Sequence, residues 1–320
     1  MTYEKTKTFL NEKGQEQLLR FYDELEETGK KRLLSEIEKI DWSFEEVLNN
    51  PEDLSGKNRR IEPIEGLRLE EIELRKGEFR KAGLRALQEG KVAAVLLAGG
   101  QGTRLGVDGP KGAYDIGITH PLYIFEQQMK NLLEVVKECG TYIPLYIMTS
   151  EKNDAETKSF WKEQGYFGYP EKEVHFFVQD MAPAVDFDGK IFLEEKDKPA
   201  LSPNGNGGWF SSLHRAGLCK DLHKRGVEWI NIYAVDNVLQ RIADPVFVGA
   251  TLLAGVNCSA KVVCKTCPEE RVGVLCKEDG QPAIIEYYEL TKEMADSREA
   301  DGSLSYLYGV ILNYLFSLKK

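Results

Sequence analysis

The spacing of apolar residues changes near residue 90 of the chain. Before that point apolar residues recur every three to four positions among many charges, as in Leu33, Leu34 and Ile37, which is the pattern of amphipathic helices. After it, short apolar runs alternate with helical periodicities, and the first run, Val92 to Ala98, has no polar interruption. Such a run predicts a fully buried strand. We therefore predict an N-terminal helical region over residues 1–90 and a second domain over residues 91–320.

The N-terminal region shows three helical signals. One helical face includes Leu18, Phe21, Tyr22 and Leu25. Ser43-Phe-Glu-Glu46 has the form of a capping box that opens a helix through Val47 and Leu48. A last helical stretch is bracketed by Gly83 and Gly90.

The second region alternates helices and strands, which predicts an α/β fold with a mostly parallel sheet and helices on both faces. Ligands of such sheets bind beyond the carboxyl ends of the strands. We also expect a hairpin around Asp188-Gly189 and a meander of three strands between Ala260 and Glu289. The other predicted elements are helices over Pro121–Gly140 and Trp209–Arg225 and strands over Tyr142–Met148, Val174–Val178 and Glu228–Val235.

A glycine-rich loop follows the first strand and is the best chemical signal in the chain. Gly99, Gly100, Gly102 and Gly106 are four glycines in eight positions, so backbone N–H groups could approach a phosphate chain or a base closely. The loop lacks the lysine and hydroxyl of a P-loop, and its glycines are not spaced as in a dinucleotide fingerprint. The alternative is a glycine-rich surface turn.

Charge and hydropathy exclude several functions. The formal net charge of −10 argues against nucleic acid or an anionic membrane as the partner. Any phosphate substrate then needs local cations, and Arg104 and Lys111 stand in or beside the glycine loop. The sequence has neither an apolar run of membrane-spanning length nor a secretory signal at its start. We therefore expect a soluble, cytoplasmic protein, while its oligomeric state stays open.

Six cysteines raise the question of a zinc site, because Cys264 and Cys267 have the spacing of a ligand pair. The second pair of possible ligands is widely spaced, and the two cysteines would point to opposite faces of one strand. We therefore expect reduced cysteines that bind no zinc.

The motifs resemble the sugar-nucleotide pyrophosphorylases, which have a Rossmann-like nucleotidyltransferase fold, and among them the UDP-N-acetylhexosamine (UDP-GlcNAc) pyrophosphorylases. The resemblance runs from about Gln15 to the C-terminus. Its first motif is Leu97–Gly106 with Pro110-Lys111-Gly112. The others are Tyr114–Gly117, Ile147–Ser150, Phe187–Lys190, Pro203–Gly208, Val235-Asp236-Asn237 and Ile285-Glu286-Tyr287.

This resemblance implies a Mg²⁺-dependent uridylyltransferase that makes UDP-GlcNAc from UTP and N-acetylglucosamine 1-phosphate. Alternatives are a UDP-glucose or broad UDP-sugar pyrophosphorylase and a non-catalytic nucleotide-binding relative. The implied catalytic cations are Arg104 and Lys111, and Asp236 would bind both UTP and Mg²⁺. The other implied UTP-binding residues are Leu97, Ala98, Gly99, Gly100, Gln179 and Gly205, and the implied sugar-binding residues are Asn206, Glu286 and Asn313.

Four of these roles have a structural alternative. Lys111 could be a solvated loop lysine, Asp236 a helix cap, and Glu286 a paired strand carboxylate. Asn313 could be an amide on a helix surface.

The C-terminal part departs from the resemblance. The family pattern Gly-Asn-Ile-x-Asn-His is replaced by Gly309-Val-Ile-Leu-Asn-Tyr314. Similar proteins also continue past the equivalent of Lys320 with a further domain and a lysine for the sugar phosphate. We therefore expect this chain to bind UTP with low turnover and to leave apolar surface exposed.

Overall fold

The computed structural model describes residues 1–45, 59–106 and 109–318. The predicted capping box at Ser43 would open a helix that lies outside these residues. Among the helices that the structure describes, none is both long enough and apolar enough to cross a bilayer. The helices are α1 (Tyr3–Glu12), α2 (Glu27–Lys39), α3 (Leu69–Gln88), α4 (Ile124–Cys139), α5 (Asp154–Glu163), α6 (Trp209–Arg215), α7 (Leu218–Arg225), α8 (Pro245–Ala254) and α9 (Lys292–Asp296).

The strands form one large sheet and two small two-stranded ones. They are β1 (Ile61–Pro63), β2 (Val92–Leu97), β3 (Leu145–Thr149), β4 (Val174–Val178), β5 (Met181–Pro183), β6 (Leu193–Glu195), β7 (Lys198–Pro199), β8 (Leu201–Pro203), β9 (Trp229–Ala234), β10 (Cys258–Cys264), β11 (Val274–Glu278), β12 (Gln281–Ile285) and β13 (Tyr308–Ser317).

The chain divides into two compact units, and the division differs from the predicted boundary at residue 90. The first unit contains residues 1–58 and 179–208, and the second contains residues 59–178 and 209–320. Helix α3 thus belongs with the sheet rather than with the N-terminal helices. Residues 179–208 pack with the N-terminal helices because Ile191 joins the apolar core formed by Leu10, Leu33 and Ile37.

The second unit is built on the large sheet, and the predicted α/β architecture is confirmed. Strands β9, β2, β3 and β4 are parallel neighbours, whereas β13 and the strands beyond it are antiparallel. Leu97 aligns with Met148 on one side and with Ala234 on the other. The carboxyl ends of β2, β3 and β9 therefore lie side by side at one edge of the sheet.

Strand β2 is buried on both faces, which explains its uninterrupted apolar sequence. All six of its residues are buried. Ala94 and Leu96 belong to the core that contains Phe125 of α4, while Val95 packs in the core that contains Leu213 of α6. Alternate residues of a strand point to opposite faces, so both faces need apolar side chains.

Helices α3 and α8 pack backbone against backbone. A Cβ atom on Gly83 would lie 1.9 Å from the carbonyl oxygen of Pro245, and one on Gly249 would lie 1.7 Å from that of Phe79. Gly83 therefore lies inside α3 at a close helix contact. The prediction that it marks the start of a helix is wrong, because the close approach needs a residue without a side chain.

Other predicted elements need correction. Leu18 and Tyr22 lie in two short 3₁₀ turns, Glu16–Leu19 and Tyr22–Glu24, rather than in one helix. The predicted helix from Trp209 to Arg225 is broken at Gly217, whose φ is +76°.

The predicted meander is only half correct. Strands β11 and β12 form the expected hairpin, with Asp279 and Gly280 in its turn at positive φ. Strand β10 instead pairs with β13, a partner that is distant in sequence. Cys264 ends β10 and Cys267 lies beyond it, so the expectation that both lie in one strand is wrong. Both are exposed free thiols, and the absence of zinc stays a prediction.

A cluster of ionisable side chains joins α7 to β3 and to the edge strand β4. Asp221 accepts hydrogen bonds from the Tyr146 hydroxyl at 2.6 Å and from Arg225 Nε at 2.8 Å. Arg225 also donates to Glu173 at 2.7 Å, and its Nη2 lies 3.2 Å from Nε2 of His175. Asp221 Oδ2 lies 3.8 Å from the same imidazole nitrogen. Neutral His175 can accept from Arg225, whereas protonated His175 would meet a second cation.

We predict that acid destabilises the second unit through His175. Burial lowers the pKa of His175, and Asp221 opposes this effect only in part. Below about pH 6.5, the ordinary histidine pKa, the unfolded chain therefore binds this proton more readily than the folded chain. The unfolding free energy that neutral His175 contributes is therefore fully present above this pH and is lost as the pH falls.

Urea unfolding of the wild type and of His175→Gln at neutral and mildly acidic pH measures this loss. Glutamine can still accept from Arg225 but does not titrate, so the variant should lose less unfolding free energy between the two pH values. Equal losses in both proteins would contradict the assignment to His175.

Candidate active site

The glycine-rich loop leaves the carboxyl end of β2 and closes on itself. Leu97 and Ala98 are buried, Gly99 is half-buried and Gly100 is exposed. The amide of Lys111 donates to the carbonyl of Gly100 at 3.3 Å. The closure places backbone groups of residues 99–102 and the start of the Lys111 turn at one end of the sheet. The side chain of Arg104 lies outside the described part of the structure, so its predicted role stays a prediction.

A buried asparagine that the sequence analysis did not identify holds this loop. The Asn153 side chain has no exposed surface. Its Nδ2 donates to the carbonyls of Ala98 at 3.0 Å and Gly100 at 3.2 Å, and its Oδ1 accepts from the amide of Ser150 at 2.8 Å. The only sequence signal was an asparagine before a helix, which is typical of a helix cap. Its actual partners belong to a loop about fifty residues earlier.

Two glycines in or beside the loop have different structural needs. A Cβ atom on Gly112 would lie 2.2 Å from the buried ring of Phe125, so packing requires glycine there. At Gly100 a Cβ atom would meet no described atom within 4 Å, and Gly100 is not among the glycines with positive φ. The described fold does not require glycine at Gly100. A glycine of this kind is typical of a backbone that a ligand approaches closely.

Lys111 and Asp236 form an ion pair. Lys111 begins a short 3₁₀ turn after the loop, and Asp236 follows β9 by two residues. The Lys111 ammonium lies 2.6 Å from Oδ1 of Asp236, and their side chains are 25% and 65% exposed. Two residues predicted separately from the sequence are thus in direct contact at the carboxyl edge of the sheet. A pair this exposed contributes at most about 1 kcal/mol to stability, so a more highly charged ligand can replace it.

Asn313 is not the helix-surface amide of the structural alternative. It lies in β13 with no exposed surface. Its Nδ2 donates to Oε1 of Gln240 at 2.9 Å, and its Oδ1 accepts from Nδ2 of Asn231 at 2.8 Å. The side chain is thus buried and bonded within the protein, whereas the predicted contact of Asn313 with the sugar stays a prediction.

Glu286 lies in a different setting from the predicted one. Strand β12 ends at Ile285, and Glu286 follows it as an exposed residue. Its carboxylate faces Gly273, where a Cβ atom would lie 3.4 Å from Oε1 of Glu286. The prediction that it interrupts an apolar strand is wrong, whereas its contact with a sugar stays a prediction.

Three of the predicted residues belong to the first unit. Gln179 follows β4 directly in the chain and is buried. Gly205 has a φ of +76°, and Asn206 is an exposed residue that begins a 3₁₀ turn. The other predicted site residues belong to the second unit.

Comparisons with known proteins show which family the chain resembles. Residues 41–306 match the family model described as UTP–glucose-1-phosphate uridylyltransferase. The chain is 39% identical over 331 residues to human UDP-N-acetylhexosamine pyrophosphorylase-like protein 1, which covers 96% of this chain and 64% of that protein. It is 36% identical over 330 residues to the UDP-N-acetylglucosamine pyrophosphorylase of Saccharomyces cerevisiae, covering 97% of this chain and 69% of the yeast protein.

A solved structure is also similar. The UDP-N-acetylglucosamine pyrophosphorylase of Trypanosoma brucei matches with a TM-score of 0.85 at 28% identity, covering 97% of this chain and 65% of that chain. The chain therefore spans a little under two thirds of the length of the human and trypanosomal proteins.

The two contrasting glycines give a stability prediction. Gly112→Ala should lower the free energy of unfolding by about 1–3 kcal/mol or more, because its methyl group would overlap the fixed ring of Phe125. Gly100→Ala should leave it unchanged or raise it by less than about 1 kcal/mol, through reduced freedom of the unfolded chain. Urea unfolding of both variants checks this. A clear loss in Gly100→Ala would show that the fold itself needs glycine there.

Proposed function

This chain belongs to the family of UTP–glucose-1-phosphate uridylyltransferases, and from that premise we propose that it makes UDP-N-acetylglucosamine and pyrophosphate from UTP and N-acetylglucosamine 1-phosphate. The observation that carries the proposal is the contact of Lys111 with Asp236 beside Gly100. A cation, a carboxylate and an open backbone together suit a nucleoside triphosphate with its metal. The names of the yeast and trypanosomal relatives support N-acetylglucosamine as the sugar, and the name of the human relative supports an N-acetylhexosamine.

The reaction is a displacement at the α-phosphorus of UTP. An oxygen of the sugar phosphate forms the new bond to this phosphorus, and the bond to the β-phosphate oxygen breaks, so that pyrophosphate leaves. Both reactants are anions, and no side chain has to become covalently attached. Catalysis consists mainly of positioning and of charge stabilisation. Lys111 and Arg104 would supply the positive charge at the phosphates.

The residues fit a magnesium ion that is shared with phosphates. Among the residues that the structure describes, no three or more His, Cys, Asp or Glu side chains are grouped as a metal site. Mg²⁺ in nucleotide enzymes is usually held by one or two carboxylates together with phosphate oxygens, and the exposed Asp236 carboxylate suits that role. The ion would neutralise phosphate charge, which Asp236 alone would repel.

The base and the sugar need separate recognition groups. We assign the uracil to Gln179, because an amide can both donate and accept the hydrogen bonds of its edge. Leu97, Ala98 and Gly99 would face the base and ribose. Gly205 would also contact UTP, and Asn206 and Glu286 would bind the sugar hydroxyls.

A second candidate is a uridylyltransferase for glucose 1-phosphate or for several sugars. The description of the matching family model favours it, since that description names glucose 1-phosphate. A third candidate is a nucleotide-binding protein without catalysis. Pyrophosphate release separates the third from the first two, and the choice of sugar separates the first from the second.

We predict that pyrophosphate release is faster with N-acetylglucosamine 1-phosphate and UTP than with any other pair. The assay compares the N-acetylglucosamine, N-acetylgalactosamine and glucose 1-phosphates, each with UTP, dTTP and ATP. The Gln179 assignment requires UTP to exceed the other nucleotides. Equal rates with glucose 1-phosphate would favour the second candidate, and UTP binding without any pyrophosphate release would favour the third.

Lys111 and Asp236 should have separable effects on UTP. Lys111→Ala should weaken UTP binding with or without Mg²⁺ and slow pyrophosphate release by roughly a hundredfold, the cost of about 2.7–4 kcal/mol for one preorganised donor. Asp236→Asn should weaken UTP binding only when Mg²⁺ is present. In EDTA the substitution removes the ion pair and so leaves Lys111 available to the phosphates. Calorimetry with UTP in both conditions measures this. An unchanged response to Mg²⁺ in Asp236→Asn would remove Asp236 from the metal site.

A further inference from the structure

The loop that carries Asp236 is held by a buried glutamine from helix α4. Gln128 has no exposed surface. Its Nε2 lies 3.0 Å from the carbonyl oxygen of Ala234, 3.3 Å from that of Val235 and 3.4 Å from that of Asn237. Val235 and Asn237 are the two neighbours of Asp236 in the chain. The amide of Gln128 therefore contacts the backbone on both sides of this carboxylate.

A second amide on the same face of α4 holds the next part of the loop. Asn131 lies three residues after Gln128, a spacing that places both side chains side by side on the helix. Its Nδ2 donates to the carbonyls of Val238 at 2.8 Å and Gln240 at 3.1 Å. Helix α4 thus supplies donors along the loop from residue 234 to residue 240.

A relay of amides ties the same loop to the sheet. Gln240 Nε2 donates to the carbonyl of Ala234 at 3.0 Å, and its Oε1 accepts from Asn313 at 2.9 Å. Asn313 accepts from Asn231 at 2.8 Å, and Asn231 Oδ1 accepts from the amide of Ala243 at 2.7 Å. The relay starts at the beginning of the loop, passes through β13 and β9, and ends where the loop ends.

A bulge in β13 directs Asn313 into this relay. Opposite β10, residues 311–313 face a single residue, because Tyr314 pairs with Ala260 and Val310 with Val262. Leu312 in the bulge has a φ of +52°, a strained value for a residue with a side chain. Such strain persists only where surrounding contacts impose it, and the buried bonds of Asn313 are contacts of that kind.

The acceptor atom of Gln128 indicates that this residue does more than fill the core. Oε1 of Gln128 is buried and has no hydrogen-bond partner among the described residues. An unpaired buried acceptor is unfavourable, and a fully apolar residue would avoid that cost. The hydrogen bonds that Nε2 donates must therefore offset the free-energy cost of the unpaired Oε1.

We propose that Gln128 is a positioning residue for Asp236, with Asn131 as its helper. By binding the carbonyls on both sides of Asp236, Gln128 fixes the direction of this exposed carboxylate before Mg²⁺ and UTP bind. The proposal rests on the function proposed above, since it assumes that Asp236 meets the metal bound to UTP. Groups that orient a metal ligand in this way commonly change metal affinity when they are replaced.

The test compares UTP binding by calorimetry in Mg²⁺ and in EDTA, and takes the ratio of the two affinities as the magnesium benefit. Gln128→Leu removes the donors but keeps an apolar side chain of similar size. The magnesium benefit should fall by roughly tenfold or more, the usual effect of losing such a partner, while UTP affinity in EDTA stays unchanged. A magnesium benefit equal to that of the wild type would overturn the proposal.

Tyr169→Phe is the matched control. The buried Tyr169 hydroxyl donates to the carbonyl of Ile143 at 2.7 Å, at the amino end of β3 and thus at the opposite edge of the sheet from Asp236. This variant should lower the thermal unfolding midpoint without changing the magnesium benefit. If it lowered the benefit as much as Gln128→Leu does, the effect would be general destabilisation and the proposal would fail.

A milder variant covers the case in which Gln128→Leu does not fold. This variant is Asn131→Ala, since Asn131 is only half-buried. It should also lower the magnesium benefit, by a smaller factor than Gln128→Leu. An unchanged benefit in Asn131→Ala would count against the proposal. The wild-type protein distinguishes failure of the proposed function from failure of the positioning role of Gln128. Wild-type protein that binds no UTP would overturn the proposed function together with this proposal. Wild-type binding with a clear magnesium benefit that both variants keep would overturn this proposal alone.

Discussion

Backbone carbonyl groups just beyond the carboxyl ends of the parallel strands need hydrogen-bond donors that a neighbouring strand no longer supplies. Buried carbonyl groups without partners are costly, and side-chain amides supply the missing donors here. Asn153 serves the glycine loop through Ala98 and Gly100, and Gln128 serves the Asp236 loop. These buried amides therefore hold both loops in place at the carboxyl edge of the sheet.

Electrostatics adds a second constraint to this edge. The chain carries a formal net charge of −10, so an anionic substrate meets an unfavourable overall field. The pair of Lys111 with Asp236 keeps a cation in place between the two loops. Both side chains retain contact with water, which keeps the pair weak. The triphosphate and metal of the proposed function would therefore replace a weak contact and bind each partner separately.

The division into two units separates the candidate roles. The chain leaves the sheet after β4, contributes residues 179–208 to the first unit, and returns at α6. The residues proposed for phosphate and metal belong to the second unit, whereas Gln179 and Asn206 belong to the first. The two residues proposed for base and sugar in the first unit thus lie in a segment of the chain that packs with the N-terminal helices through Ile191.

Local patterns in the sequence were sufficient for the α/β class and for the buried strand β2. Each depends on residues that are neighbours in the chain, and such information is present in the sequence itself. The tertiary structure alone decided that β10 pairs with β13 and that Asn313 is buried. It also decided that Asn153 and Gln128 hold the two loops. The partners of Gln128 lie more than one hundred residues away, and a hydrogen bond between such distant residues has no periodicity or motif that a sequence can display.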